Sequence, residues 1–235
     1  MTINYSIILP CLNEYENLKY LITDLIKRLK NEKYEILVID DNSTDNTIPK
    51  LKKKFYKNKK IIFIKRTKNP GLAFSIKTGI NKCLGKNIIV MDSDFNHKPN
   101  DVIKLIKIHK QKKFELICGS RFAKGGSSNK FYRHILSLTY NYLIIFILNG
   151  KIIDNLSGFF LIKKKKLMLL NLNKIFYGYG DYYIRLLYYS QKFKFKYFEV
   201  GVKYGNRKHG HSKSNFIKMF INYFIETLKI KINEN

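Results

Sequence analysis

The chain has 235 residues, 45% of them hydrophobic, which suits one α/β domain with its own core better than two small ones. Its formal charge is +28, from 45 Lys and Arg against 17 Asp and Glu. Such a charge is drawn to a polyanion or an anionic membrane surface, although a codon bias toward Lys and Asn, with alanine only at Ala73 and Ala123, accounts for much of it. Residues 5–9 are a short β-rich run ended by Pro10. Residues 14–29 carry Leu18, Leu21, Ile22, Leu25, Ile26 and Leu29 at helical spacing, with Asn13 as the expected cap. Residues 35–39 form a second strand that runs into Asp40-Asp41, and Asp45 can cap a helix through Leu51 and Phe55. A third strand is predicted at 61–64, a helix at 73–84 closed by Gly85, a fourth strand at 87–91, a helix at 102–110 and a strand at 116–119. The lysine run 163–166 reads as a solvated turn or a helix start.

Strands alternating with helices predict a parallel sheet covered on both faces, whose ligands lie outside the carboxyl ends of the strands. Four polar clusters fall at those ends: Pro10-Cys11-Leu12-Asn13-Glu14, Asp40-Asp41, Asp92-Ser93-Asp94 and Gly119-Ser120-Arg121. The most informative is the third. The apolar run Ile88-Ile89-Val90-Met91 reads as a buried strand, and residues two apart in a strand point the same way. Asp92 and Asp94 could thus converge on one hard cation, or form no more than a solvated turn. Lys outnumbers Arg 39 to 6, so each arginine invites attention, because a guanidinium fork grips phosphate bidentately and an ammonium does not.

Cys11, Cys83 and Cys118 are odd in number, far apart and without metal-ligand spacing, as expected of buried reduced thiols in a cytosolic chain. The start has neither the basic nor the apolar region of a signal peptide. The longest uncharged window, 135–150, is shorter than a membrane span and suits a core helix or an interfacial segment. Residues 215–232 put Phe216, Ile217, Phe220, Ile221, Phe224, Ile225 and Leu228 on a broad apolar face, with a narrow polar stripe of Lys218, Asn222, Glu226 and Lys229. Such a helix packs on its own domain, lies in a lipid headgroup plane or docks on a membrane subunit. The lysine spacing matches no DNA-reading motif, so nucleic acid is not an expected partner.

Read in order, Ile8-Leu9-Pro10-Cys11-Leu12-Asn13-Glu14-Tyr15-Glu16-Asn17-Leu18, Val38-Ile39-Asp40-Asp41, Gly71-Leu72, Met91-Asp92-Ser93-Asp94 with His97 and Pro99, Gly119-Ser120-Arg121-Phe122, Ser157-Gly158-Phe159-Phe160 and Arg207-Lys208-His209-Gly210-His211-Ser212-Lys213 form one set. This set resembles the inverting family 2 glycosyltransferases of GT-A fold, and within them the dolichyl-phosphate (polyprenyl-phosphate) mannosyltransferase branch, over about residues 4–214. The resemblance implies an α/β catalytic domain over 1–214, with a mostly parallel central sheet flanked by helices, followed by the amphipathic helix of 215–235. It implies a nucleoside site at Pro10, Leu12, Glu14, Ile39 and Asp41, with Leu12 standing where relatives often carry an aromatic. Asp92 and Asp94 match the motif that binds Mg²⁺ or Mn²⁺, Asn96 could add a ligand, and Ser93 belongs to the donor site. His97 reads as structural.

Arg121 and Arg207 match positions that bind donor or acceptor phosphates, and Lys213 a lysine over the donor diphosphate. Gly205, Gly210 and Ser212 would let that loop move. Arg133 and Ser137, one helical turn apart, match the acceptor-phosphate pair, while a later family arginine falls on Leu138 here. The implied reaction is transfer of a sugar, mannose from GDP-mannose in this branch, to a polyprenyl phosphate. Its oxygen is already anionic near neutral pH and needs no strong base, so Asp94, Arg121 and Arg207 would act by positioning and charge. UDP-glucose or UDP-N-acetylglucosamine as donor, or a sugar hydroxyl acceptor with Asp181 as base, are the alternatives. With Asp181 a helix cap is the other reading. The expected partners are the nucleotide sugar, the lipid phosphate, a membrane surface and a small membrane subunit; the expected location is the cytosolic face of a membrane.

Overall fold

A computed structural model describes residues 2–128, 131–205, 209 and 216–233; the side chains of Phe131, Arg133 and 216–218 lie outside that description. The elements run β1 (Tyr5–Cys11), α1 (Tyr15–Arg28), β2 (Tyr34–Asp40), α2 (Thr47–Lys54), β3 (Ile61–Lys65), α3 (Leu72–Lys82), β4 (Asn87–Val90), α4 (Pro99–Gln111), β5 (Leu116–Ser120), α5 (Phe131–Leu148), β6 (Phe160–Lys163), α6 (Lys164–Leu167), α7 (Leu172–Ile175), α8 (Tyr182–Lys192), β7 (Tyr197–Gly201) and α9 (Phe216–Asn233). One seven-stranded sheet has the order β3-β2-β1-β4-β6-β5-β7. It is parallel except at β6, which runs antiparallel between β4 and β5. The mostly parallel sheet flanked by helices is the expected architecture.

The period of two along the strands builds the layers. Ile7 and Leu9 of β1 join Leu18, Leu21 and Leu25 of α1 and Leu105 of α4 on one face. Ile8, with Leu37 and Ile39 of β2, joins Ala73, Ile76 and Ile80 of α3 and Leu186 of α8 on the other. Both faces of the central strands are therefore dry, which is why they read as unbroken apolar runs. Strand order reverses direction of growth beside β1, with β2 on one side and β4 on the other. Crevices at such reversals collect ligands at the carboxyl ends.

Three local expectations are corrected. Asn13 does not cap α1; it sits in the left-handed region at φ 54° and its side chain accepts from the backbone of Thr44 and Asp45. Helix α3 stops at Lys82, and Gly85 instead lies against Ser6, where a Cβ would collide with the serine hydroxyl. Glu226, in the narrow polar stripe of the last helix, does not share the exposure of Asn222 and Lys229 but is buried against Arg185 at 3.0 Å. Asp45 stands one residue before the cap of α2, which is Asn46, and from there its carboxylate accepts the N–H of Thr47, the first residue of the helix, at 2.9 Å. The lysine run opens α6.

Helices α5 and α9 pack on each other through Ile144, Tyr223, Ile230 and Tyr140, with the Tyr140 hydroxyl donating to the Phe220 carbonyl at 2.6 Å. Their outer faces carry many exposed apolar side chains, on α9 beside Asn222, Lys229 and Lys231. Tyr132, Leu136 and Phe146 of α5 and Ile221, Ile225 and Ile232 of α9 are all exposed. Polar Glu226 and Thr227 point inward. The pattern is inverted relative to a helix that covers a domain and faces water. No helix among the described residues is long and apolar enough to cross a membrane.

Candidate active site

The carboxyl ends of β1, β2 and β4 lie side by side. The Asp41 N–H donates to the Cys11 carbonyl at 2.9 Å, and Met91 N–H to the Ile8 carbonyl at 3.3 Å. On this edge the chain leaves β4 at Val90 and delivers Met91 to the core and Asp92-Ser93-Asp94 to the rim. Asp94 is buried and braced: its two oxygens accept from the Asn96 N–H at 3.0 Å and the Asn96 side-chain amide at 2.9 Å. The Asp92 side chain is 40% exposed. The fixed carboxylate and the open one are two hard oxygen donors of the kind that Mg²⁺ takes together with substrate phosphates and water. Among the described residues no cluster of three His, Cys, Asp or Glu exists, so further ligands to a cation here would be other oxygens. Asn96 turns its amide nitrogen to Asp94, which makes it a brace for that carboxylate and leaves only its oxygen as a possible ligand atom.

His97 is structural, as expected. Its Nδ1 accepts the Asp92 N–H at 2.9 Å, so the proton sits on Nε2, 2.7 Å from the Tyr204 hydroxyl, which in turn donates to the Ser157 carbonyl at 2.7 Å. Burial, then the nearby Arg121 guanidinium, drive the imidazole down to about 3, so it stays neutral. This chain stitches the aspartate loop to the Ser157-Gly158-Phe159 segment. Gly205 closes it, donating to the Asn96 carbonyl at 2.9 Å where a Cβ would strike the Phe95 carbonyl. Burial raises the Tyr182 and Tyr223 hydroxyls, and the charge of Asp92 adds to both. The last helix thus brings Tyr223 within the field of the aspartate corner.

The expected nucleoside residues gather beside it in different roles. Asp41 accepts from the Gly71 N–H at 2.6 Å and pairs with Arg66 at 2.5 Å. Glu14 is buried at the start of α1 and accepts from the Asn17 amide at 2.6 Å. Leu12 is half-exposed at the rim. Pro10 and Ile39 are register partners and buried. The Ile39 side chain is in the core under α3, so only its backbone is left for a ligand. Ser93 is buried between the two aspartates.

Arg121 departs from the expectation of a phosphate-gripping fork. Its Nε and Nη2 hold the two oxygens of Asp154 at 2.9 and 2.7 Å, and its own N–H donates to the same carboxylate at 2.8 Å. Burial works against the charge, yet the Asp154 carboxylate holds the guanidinium above its ordinary value. Only the remaining edge of the guanidinium can face a ligand. That edge belongs to a cleft of about 640 Å³ lined by Arg121, Ser127, Ser128 and His134 among polar residues, and by Leu138 and Tyr142 among apolar ones. Ser137 lies on the same helix with a buried hydroxyl that has no hydrogen-bond partner among the described residues. The Arg133 side chain, Arg207 and Lys213 lie outside the described residues.

Asp181 does not stand as a free base. Its oxygens accept from the Tyr179 N–H at 2.8 Å and from Arg185 at 2.6 Å, and Arg185, itself buried, also meets Glu226. It precedes α8 without a side-chain cap bond. Sequence reasoning missed two residues of consequence. Asp154 is fully buried and holds Arg121; Arg66, at the end of β3, holds Asp41 and donates to Ser75 at 2.8 Å. The scarcity of arginine could have found Arg66. Nothing in the sequence pairs Asp154 with Arg121.

Residues 6–169 match the family model of glycosyl transferase family 2. The chain belongs to glycosyl transferase family 2. Its curated relatives in the family include the dolichol-phosphate mannosyltransferase of Pyrococcus furiosus, 33% identical over 88% of this chain and 58% of that protein. The enzyme of the same name from Saccharomyces cerevisiae is 31% identical over 71% and 63%. The chain thus spans about three fifths of the length of these family members. Among solved structures, glucosyl-3-phosphoglycerate synthase from Mycobacterium tuberculosis, in complex with Mn²⁺, UDP and phosphoglyceric acid, superposes with a TM-score of 0.76 over 97% of this chain and 78% of that one, at 17% identity. That likeness carries the fold of the family, and β4 with its aspartate corner lies within the matched region.

Proposed function

We propose that this family 2 member transfers a sugar, mannose from GDP-mannose, to the phosphate of a polyprenyl lipid at the cytosolic surface of a membrane. The observation that favours a lipid phosphate over a sugar acceptor is the cleft beside Arg121. Its lining combines polar Arg121, Ser127, Ser128 and His134 with apolar Phe122, Leu138, Tyr142 and Ile153. Tyr142 is 57% exposed on α5, the helix whose apolar residues face outward. A ligand with an anionic head for Arg121 and an apolar tail suits that mixed lining. The mannosyltransferase relatives point the same way.

In this reading the donor's base and ribose lie against Glu14, Asp41, Leu12 and the backbone of Pro10 and Ile39. Asp92 and Asp94, with Asn96 bracing Asp94, hold a divalent cation, Mg²⁺ or Mn²⁺, which when bound neutralises charge on the leaving diphosphate. Ser93 is the backbone link between the two. Arg207 and Lys213 contact the donor phosphates. Arg133 and Ser137, with the open edge of Arg121, hold the acceptor phosphate. One of its oxygens forms a bond to the anomeric carbon as the bond to the nucleoside diphosphate breaks, with inversion. The nucleophile arrives ionised, so no side chain has to remove a proton, and the engagement of Asp181 by Arg185 costs the reaction nothing. Positioning and fixed positive charge supply the rate.

The exposed apolar side chains of α5 and α9 and the charge of +28 support peripheral attachment to an anionic surface or to a small membrane subunit. An acceptor competition tests the reading. Purified chain, divalent cation and a panel of labelled nucleotide sugars are given polyprenyl phosphate, a soluble sugar, or both. The expected label enters the organic phase and the soluble sugar does not compete. Label confined to the soluble sugar would replace the lipid acceptor with a hydroxyl one.

A further inference from the structure

Arg66 is anchored just past β3 by its own backbone N–H, which donates to the Asp40 carbonyl at 2.8 Å. Its side chain is 9% exposed, so water competes little for the bonds it makes. Nη1 donates to Asp41 Oδ1 at 2.5 Å and to the Ser75 hydroxyl at 2.8 Å. Nη2 donates to the carbonyls of Lys68 and Asn69 at 3.2 and 2.6 Å. All four terminal N–H bonds of the guanidinium are thereby spent. Among the described residues those two carbonyls have no other donor. The turn of residues 67–71 is thus wound round one guanidinium, through Asn69 at φ 52° and Gly71 at φ 143°. It ends by giving the Gly71 N–H to Asp41 Oδ2 at 2.6 Å. Arg66 therefore acts on Asp41 twice, directly at Oδ1 and through the turn at Oδ2. A lysine, as a point charge without the fork, could do one of these but not both.

We propose that Arg66 is a positioning residue for the nucleoside end of the donor: it fixes both oxygens of Asp41 so that their remaining lone pairs meet N–H or O–H groups of the base or ribose. The inference rests on the functional reading above in taking Asp41 as a nucleoside contact. A carboxylate oxygen accepts two hydrogen bonds, so one position on each stays open once Arg66 and Gly71 are served. The backbone of Asp41 is fixed as well, since its N–H donates to the Cys11 carbonyl at 2.9 Å. A carboxylate held at three points meets a ligand with little further ordering cost. Its charge also decides which end of the donor it meets, because it attracts N–H and O–H groups and repels phosphate. β2 and β4 flank β1, so Asp41 and the aspartate corner stand two strand spacings, about 10 Å, apart. That separation puts the nucleoside at Asp41 and leaves the diphosphate at the aspartate corner.

Titration calorimetry on the full chain tests this with GMP and GDP, each with Mg²⁺, for the parent, Arg66→Lys, Asp41→Asn and the double variant. Arg66→Lys should weaken GMP and GDP by the same factor, about tenfold, because the affected contacts lie on the part the two ligands share. In the Asp41→Asn background the same change should cost less than about threefold, since Arg66 acts through that carboxylate. In sugar transfer the KM for the donor should rise by a similar factor while kcat stays within about twofold of the parent. A purely structural role would instead lower the folded fraction, and with it kcat and the number of binding sites, at the parent affinity. Arg66→Gln, uncharged but still a donor, carries the same comparison should Arg66→Lys not fold. If UDP binds in place of GDP, UMP and UDP replace the guanosine pair. Parent affinity in Arg66→Lys overturns the proposal, and so does an undiminished loss in the Asp41→Asn background. A parent that binds neither GDP nor UDP removes the nucleoside reading and this inference with it, whereas a parent that binds no better than Arg66→Lys removes the inference alone.

Discussion

Replacing Asp154 by alanine should unfold this protein at a markedly lower temperature, although Asp154 stands outside every motif recognised in the sequence. The carboxylate is fully buried and accepts three hydrogen bonds from Arg121, two from the guanidinium and one from the backbone N–H. Its removal leaves a buried cation unpaired, which in comparable cases costs about 3–5 kcal/mol. The orphaned N–H adds part of a further ~1–3 kcal/mol, but the two losses share Arg121 and are not additive, because the freed side chain can turn into the cleft and meet water. About 3–5 kcal/mol is therefore the expected total, and for a chain of this size each kcal/mol lowers the midpoint by about 2–4 °C, giving a fall of about 6–20 °C. Thermal unfolding followed by circular dichroism measures it. Asp154→Asn keeps an acceptor for the backbone N–H and should lose less than alanine. A fall below about 3 °C in Asp154→Ala, equivalent to about 1 kcal/mol, would refute the argument that Asp154 is what pairs Arg121 and holds it in place.

Asp92→Asn should lower sugar transfer by at least about 100-fold while leaving the melting temperature unchanged, since the side chain is 40% exposed, and chelation of divalent cations should match it; transfer that persists in EDTA would remove the cation from the account. Asp181→Asn should keep transfer to polyprenyl phosphate within about tenfold of the parent per folded molecule, yet lower stability by about 1–3 kcal/mol through its partner Arg185; abolished activity with unchanged stability would make Asp181 the base. Phe224→Asp with Leu228→Asp, both on the outward face of α9, should reduce flotation with anionic vesicles without lowering the melting temperature; unchanged flotation would place the membrane contact elsewhere.

The strands that carry the aspartate corner were legible because both faces of β1, β2 and β4 are covered, which leaves unbroken apolar runs ending at Pro10, Asp40 and Met91. β6 and β7 were not. Phe160–Lys163 is four residues long, and it is defined by pairing with β4 and β5 rather than by its own pattern. Tyr197–Gly201 is only partly buried and lacks a clear alternation. The site was legible as a list of residue types at strand ends. Its internal wiring was not, because a hydrogen bond between Asp154 and Arg121, or between Arg66 and Asp41, depends on chain crossings that no local period encodes. Arg121 illustrates the gap. Its type and place suggest a phosphate fork, and only the fold reveals that most of the fork belongs to a carboxylate 33 residues later. In α9 the same limit inverted a face: Glu226 lies on a regular polar stripe in sequence, but Arg185 waits behind it.

The most direct measurement is the mass spectrum of the organic-phase product after incubating the purified chain with GDP-mannose, Mg²⁺ or Mn²⁺ and vesicles containing polyprenyl phosphate. The expected result is a lipid phosphate heavier by one hexose and cleaved by mild acid. No lipid-linked sugar with GDP-mannose, nor with any other nucleotide sugar in its place, would contradict the account.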